Sequence, residues 1–310
     1  VSADLDEIPN YYAIHGLGPP TGPECTLVYD VAIDRLVALG SELGVPMTLF
    51  AVGRDLAREG ASAKLRSAMA AGFEIANHSL DHRYDLVRLG RDAIRSQVVE
   101  GASAIERATG VAPVGFRAPG YTVNDELVSI LEELGVTYDS SVFPCPAYFA
   151  AKAAAMGLMA LRGRTSASIL DTPRVLMAPR RPYRMGRPYW RRGKGLLEFP
   201  IQVTRRLRLP VFGTTLTLAG PLVARRLIRA CLGEPVVNLE LHGIDVLDAS
   251  DGLQALAAHQ FDVRVKVARK LEALRAAIGE LSRAGYVFVT LRAAADLVER
   301  GASISDVGSR

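Results

Sequence analysis

Two histidines four residues apart, His78 and His82 in His-Ser-Leu-Asp-His, stand out in a chain that holds five histidines among 310 residues. On a helical turn, side chains at i and i+4 leave from one face, close enough to hold a single ion. They follow Glu74-Ile75-Ala76-Asn77, a strand-like run. That places them where a strand would empty onto a barrel rim, the end at which barrel active sites collect. Asp4-Leu5-Asp6 closes another strand-like run and supplies two carboxylates. Strand alternation points both to one side, so one can bind metal while its neighbour accepts a proton. Two imidazoles and a carboxylate leave positions open for water and substrate, the arrangement of a hydrolytic metal centre. Such a donor set suits several divalent ions, zinc being the expected one.

The elements that must position these groups are legible as an alternation of short strand-like runs with longer amphipathic ones, the order of a largely parallel α/β fold. Candidate strands are Val1 to Ile8, Val45 to Val52, Phe73 to Asn77, Val114 to Ala118, Val136 to Ser140, Leu196 to Val203, Val236 to His242 and Tyr286 to Leu291. They suit a single distorted (β/α) barrel of seven or eight mainly parallel strands. Apolar residues at three- and four-residue spacing predict helices over Val31 to Leu43, Ala61 to Ala71, Asp92 to Ala108, Asp125 to Leu134, Leu222 to Leu232 and Val263 to Leu281. Gly72, Gly110, Gly135 and Gly285 each sit just past such a run, where a helix C-cap favours glycine. The stretch from 144 to about 208, rich in Pro, Arg and Ala, breaks the rhythm and reads as an inserted lid within one domain spanning 1–310.

Composition bounds the rest. With 49% apolar and 23% charged residues the chain can bury a core and is not disordered. Cys25, Cys145 and Cys231 are odd in number and lack CxxC spacing, which argues against a disulfide framework or a thiolate zinc site. No apolar run is long enough for a transmembrane helix, and the N-terminus lacks the layout of a signal peptide, so the expected location is cytoplasmic. Charge is uneven: Arg162 to Lys194 holds ten basic residues against one acid, Asp171. That stretch follows the alanine-rich run Ala147 to Leu161. Apolar surface beside clustered arginine suits either an ordinary buried helix followed by a solvated basic loop or peripheral contact with a membrane through 147–194, at its inner surface, the second implying a lipid-linked substrate. Tyr183, Tyr189 and Trp190 among those arginines would also suit a nucleic-acid stacking platform, but no recognised nucleic-acid module accompanies them, and that partner is not expected.

Several motifs in order resemble the polysaccharide deacetylase family, also called the NodB-homology family or carbohydrate esterase family 4. Val45-Pro46-Met47-Thr48-Leu49-Phe50-Ala51-Val52-Gly53 resembles its "ATFFvvG" segment, and Gly72-Phe73-Glu74-Ile75-Ala76-Asn77-His78-Ser79-Leu80-Asp81-His82 its "GHEIgnHtysH" motif. Thr109-Gly110 followed by Phe116-Arg117-Ala118-Pro119-Gly120-Tyr121 resembles "tG...fRpPyG", with a one-residue rearrangement at the end, and Leu239-Glu240-Leu241-His242 the late "LxLH" motif. The first motif departs: most members open with adjacent aspartates, whereas here Asp4 and Asp6 are spaced, as in some peptidoglycan deacetylase-like proteins and polyprenyl-phosphate-sugar deformylases. Tyr29-Asp30 resembles a first motif only superficially, because a helical run follows it.

By that likeness Asp6 joins His78 and His82 as metal ligand, Asp4 is the base, and Arg117 pairs with the base. A divalent ion lowers the pKa of water it binds from 15.7 to roughly 7, within reach of a carboxylate base. A backbone N–H near Gly120 or Tyr121 would stabilise the oxyanion, and His242 would give a proton to the leaving amine. The family's acid-tuning aspartate has two candidates, Asp139 and Asp245. His15, after the first strand, is expected to line the substrate site, and His259 to be structural. The implied activity is removal of an N-acyl group, foremost N-acetyl, from an amino sugar of a glycan or lipid-linked saccharide. The alternatives are a deformylase of a polyprenyl-phosphate-linked sugar and a non-catalytic glycan- or lipid-binding barrel.

Overall fold

The amphipathic runs fold as the helices their spacing predicts, and glycine ends several of them: Gly44 and Gly110 are C-caps in the left-handed region, at φ 65° and 78°. The structure, a computed structural model, describes residues 1–300; the last ten residues of the expected 1–310 domain lie outside the described residues. The strands are β1 (Ser2–Asp4), β2 (Thr48–Ala51), β3 (Glu74–Asn77), β4 (Gly115–Phe116), β5 (Tyr138–Asp139), β6 (Tyr183–Met185), β7 (Arg192–Glu198) and β8 (Glu240–His242). The helices are α1 (Ile8–Ile14), α2 (Ile33–Leu43), α3 (Glu59–Ala70), α4 (Arg91–Thr109), α5 (Asp125–Glu133), α6 (Pro146–Leu161), α7 (Gly213–Ala219), α8 (Pro221–Arg229), α9 (Val267–Arg283) and α10 (Leu291–Glu299).

Among the described residues the strands form one sheet in the order β6-β7-β5-β4-β3-β2-β1-β8, parallel throughout except for the β6–β7 hairpin. The expected α/β class and mainly parallel sheet are observed. The hydrogen-bonded ladder does not close into a full barrel. Across the gap the Gln202 amide reaches the Asn238 carbonyl at 3.2 Å, and the Asn238 side-chain amide donates to Phe199 O at 2.9 Å and Ser140 Oγ at 3.0 Å.

Register explains the position of the chemistry. Asp4 lies opposite Phe50 on one side and His242 on the other, so the C-terminal ends of β1 and β8 meet at one rim. Alternation splits the strand side chains: Ala3, Leu5, Leu49 and Leu241 join the large cluster beneath the helices, while Phe50, Ala76, Tyr138 and Phe199 pack together on the opposite, inner face.

Four expectations change. Tyr286 to Leu291 is not a strand, since the place beside β1 is filled by β8. Residues 286–290 instead lead into α10, whose first amides bond Thr48 and Glu74 at the N-terminal ends of β2 and β3, so this segment stops the bottom of the barrel. The expected strand at Leu196 to Val203 begins earlier, at Arg192, and pairs with β6, so the β6–β7 hairpin within the supposed lid belongs to the sheet. Pro9 at the start of a helix opens α1 inside the run taken as the end of the first strand. Finally, four of the ten basic residues of the basic stretch are paired with acids: Arg180 and Arg181 with Glu234, Arg184 with Glu299, Arg187 with Glu132. Tyr183 and Tyr189 are buried, so neither offers a stacking face. Among the described residues no helix is long and apolar enough to cross a membrane.

Candidate metal centre and active site

Asp6, His78 and His82 converge although none lies within a regular element. Asp6 is two residues past β1, and its Oδ1 sits 3.2 Å from His78 Nε2 and 3.1 Å from His82 Nε2. All three residues are buried. Those three atoms have no hydrogen-bond partner, a costly state for buried polar groups unless something else satisfies them. A divalent cation fits: the donors are one carboxylate oxygen and two imidazole nitrogens within 4.8 Å of one another. His78 Nδ1 lies 2.8 Å from the Arg117 carbonyl, which fixes the tautomer that leaves Nε2 free to ligate. Burial works against a charged Asp6, but the two imidazoles beside it hold its carboxyl well below the usual range.

The His78–His82 segment is not the helical turn that i, i+4 spacing predicts. Ser79 and His82 are left-handed, at φ 67° and 52°. Short side-chain bonds hold them there: the Ser79 amide donates to Asn77 Oδ1 at 3.0 Å and the His82 amide to Ser79 Oγ at 3.1 Å. Gly101 of α4 lets this loop approach closely, since a Cβ there would meet Asn77 Oδ1 and the Ser79 backbone at 2.7 Å. The tyrosine ring of Tyr84 meets His82 edge-on at 4.7 Å and walls the site.

Asp4 lies beside the cluster, its Oδ2 3.7 Å from His78 Nε2, and its Oδ1 is bonded by Arg117 Nη1 at 2.5 Å. Arg117 is wholly buried, and its other donors are used by Ser2 Oγ and by the carbonyl and hydroxyl of Ser140. Its guanidinium also stacks 4.0 Å over Phe50. On the opposite side His242 Nε2 is 3.1 Å from the Tyr121 hydroxyl.

Three sequence expectations are redistributed. Tyr121 was expected to offer a backbone N–H, but that amide bonds Ala118 O at 3.2 Å, and what Tyr121 presents is its hydroxyl. Gly120, at φ 65°, forms the turn and its carbonyl accepts from Lys152. Asp139 does not serve His242: it is buried against Glu198 and accepts from Ser141 Oγ at 2.7 Å. Asp245 accepts the His242 backbone amide at 2.8 Å, its carboxylate 4.0 Å from the ring. The carboxylate nearest His242 is Glu240, 3.1 Å from Nδ1 and fully buried. The sequence carried a signal for it, because residues two apart in a strand share a face. His15 lines the same cavity and pairs with Gln260 at 2.8 Å, while His259 stacks beside it.

Burial pushes Glu240 up to about 7, and the carboxylates of Glu240, Asp4, Asp6 and Asp245 outweigh burial to carry His242 up to about 9. A proton on His242 is therefore present at neutral pH and lost as pH rises through about 9. With His242 as the acid, kcat should fall on the alkaline side, at a pH that a cation held by Asp6 brings below about 9. Glu240→Gln, which removes the largest raising influence, should move that limb to lower pH. An unmoved limb would show that Glu240 does not tune the reaction.

A buried donor cluster, an arginine-held carboxylate and an imidazole facing them across one cavity lie together at the C-terminal rim of a parallel sheet, an arrangement that makes a candidate metal centre. Comparison with known proteins agrees: residues 23–138 match the family model described as polysaccharide deacetylase. A peptidoglycan deacetylase-like protein of Gibberella zeae is 30% identical over 114 residues, 36% of this chain and 33% of that one. A peptidoglycan deacetylase of Helicobacter pylori is 26% identical over 113 residues, 36% of this chain and 38% of that one. The matches thus span about a third of these relatives. Among solved structures, a protein provisionally assigned as a polysaccharide deacetylase from Mycobacterium smegmatis superposes with TM-score 0.60 at 21% identity, over 97% of this chain and 89% of that one. A variant of a Bacillus anthracis family 4 pseudoenzyme, with restored activity, reaches 0.50 at 16%, over 95% and 66%. The fold therefore hosts active and inactive members, and activity must be argued from the site.

Proposed function

We propose that this protein hydrolyses the N-acyl group, foremost N-acetyl, of an amino sugar, using a divalent ion, zinc first, at Asp6, His78 and His82. The observation that carries the reading is the convergence of three buried, otherwise unpartnered ligand atoms beside an arginine-held carboxylate, with the His242 imidazole facing them across the cavity. The ion, when bound, supplies a Lewis acid that lowers the pKa of water and polarises the acyl oxygen. Asp4, oriented by Arg117, takes the proton of the attacking water. His242 gives its proton to the nitrogen as the C–N bond breaks, and the Tyr121 hydroxyl orients the imidazole. The net change adds one water and yields a free carboxylate and an amine. The relatives named peptidoglycan deacetylase support an N-acetylated sugar as substrate class.

Zinc-loaded protein incubated with N-acetylated sugars should release acetate and amine in equal amounts, and should stop after dialysis against a chelator. Release that survives removal of metal would refute the metal-dependent reading. N-formylated sugar assayed in parallel separates the deformylase alternative, which requires formate release to exceed acetate release. The membrane contact and cytoplasmic location stay with this reading as proposals, narrowed to Leu158, Leu161 and Arg162 at the exposed end of α6.

A further inference from the structure

The rim of the site is roofed by one helix. Tyr148, Lys152, Ala155, Met156 and Met159 of α6 all line the cavity that holds Asp4, Asp6 and His242, and their spacing of three to four residues is one helical face. The roof is tied down at both ends. Cys145 Sγ bonds the Arg208 carbonyl at 3.2 Å before the helix. After it, Ser166 Oγ donates to Ile14 O at 2.7 Å and the Ala167 amide to Ala13 O at 3.1 Å, joining it to α1. The space beneath the roof is about 280 Å³ and opens to solvent, just below the range of roughly 300–1,000 Å³ typical of pockets for drug-sized ligands. That is room for one N-acylated sugar ring beside the metal centre.

Within this mostly apolar roof Lys152 is the single charge. Its ammonium donates to the neutral Gly120 carbonyl at 3.2 Å and sits 5.8 Å above the Tyr148 ring. The contrast is Lys270, buried against the Asp262 carboxylate at 3.4 Å. Lysine has three N–H donors, and the half-buried Lys152 has one neutral protein acceptor, which leaves two donors facing the cavity, with Asp171 the carboxylate that acts on its charge. Burial lowers Lys152 to about 8, with Asp171 opposing, so it remains cationic at neutral pH. The acids across the cavity, Asp4 and Asp6, are engaged by Arg117 and the histidines.

We infer that the substrate is a single or chain-terminal N-acylated amino sugar bearing an anionic substituent, a phosphate or a carboxylate, which Lys152 receives under the α6 roof. This rests on the deacylase reading above and narrows its substrate class. An amino sugar joined through phosphate to a carrier, and a sugar acid at a chain end, share that chemistry.

The test uses zinc-loaded protein with four probes: N-acetylglucosamine, N-acetylglucosamine 1-phosphate, N-acetylmuramic acid and chitohexaose. The wild type should favour at least one anionic monosaccharide over the neutral one in kcat/KM by about tenfold, the size of one charge-assisted hydrogen bond, and should leave internal units of chitohexaose acetylated. The two anionic probes separate phosphate from carboxylate. Lys152→Met should collapse that preference through KM, and Lys152→Arg should restore part of it. A preference unchanged in Lys152→Met, or turnover of internal polymer units as fast as of monosaccharides, overturns the inference. Calorimetric binding of the preferred anionic sugar, lost in Lys152→Met, does not depend on turnover. Lys152-dependent binding with no acetate release would therefore refute the deacylase reading alone, while acetate release with no anion preference would refute this inference alone.

Discussion

Arg117→Met is expected to lower the stability of the fold by about 3–5 kcal/mol, the usual cost of leaving one half of a buried ion pair behind. The guanidinium is fully buried and joins four groups that come from separate parts of the chain: Asp4 and Ser2 of β1, and the carbonyl and hydroxyl of Ser140 after β5. Its loss strands the Asp4 carboxylate and removes the brace between two strands that are not neighbours in the sheet. Arg117→Lys should recover little, because one ammonium cannot span the same fork of acceptors. Urea denaturation reads the effect, and a change below about 1 kcal/mol would mean that the pair does not hold the rim together.

Replacing the two aspartates of the first motif should give opposite losses. Asp4→Asn keeps shape and removes the proton acceptor, so kcat should fall by about 10²–10⁴ with metal content unchanged. Asp6→Asn weakens the anionic donor between His78 and His82, so bound metal should be lost together with activity. The geometry behind this division is direct: Asp6 Oδ1 lies within 3.2 Å of both imidazoles, whereas Asp4 is engaged by Arg117 and stands 3.7 Å from His78. Measuring metal content beside kcat in both variants settles the roles. Metal lost from Asp4→Asn and kept in Asp6→Asn would exchange them.

The sequence disclosed the residue types of the site more fully than their local conformation. His78 and His82 were readable from spacing, but the spacing implied a helical turn. The chain instead reaches the same proximity through two left-handed residues that only Asn77 and Ser79 side-chain bonds explain. Asp4 and Asp6 were placed together by strand alternation, yet β1 ends at Asp4, and Asp6 is positioned by the loop that leads into α1. Glu240 was legible in principle, two residues before His242 on one strand, but a charged residue at a fully buried position runs against composition-based reading. The β6–β7 hairpin was hidden because its basic residues masked the period of two, while Tyr183 and Met185 do point inward. Residues 286–290 have strand-like composition but stop the barrel bottom, a tertiary outcome that local pattern does not encode.

Metal stoichiometry measured with activity in the same samples tests the proposed metal centre most directly. Purified wild-type protein, reconstituted with zinc and freed of excess, should hold one ion per chain and release acetate from an N-acetylated sugar. His78→Ala and His82→Ala should hold no stoichiometric ion and release none. Acetate release that persists in either variant, or a wild type that turns over without bound metal, would contradict the central claim.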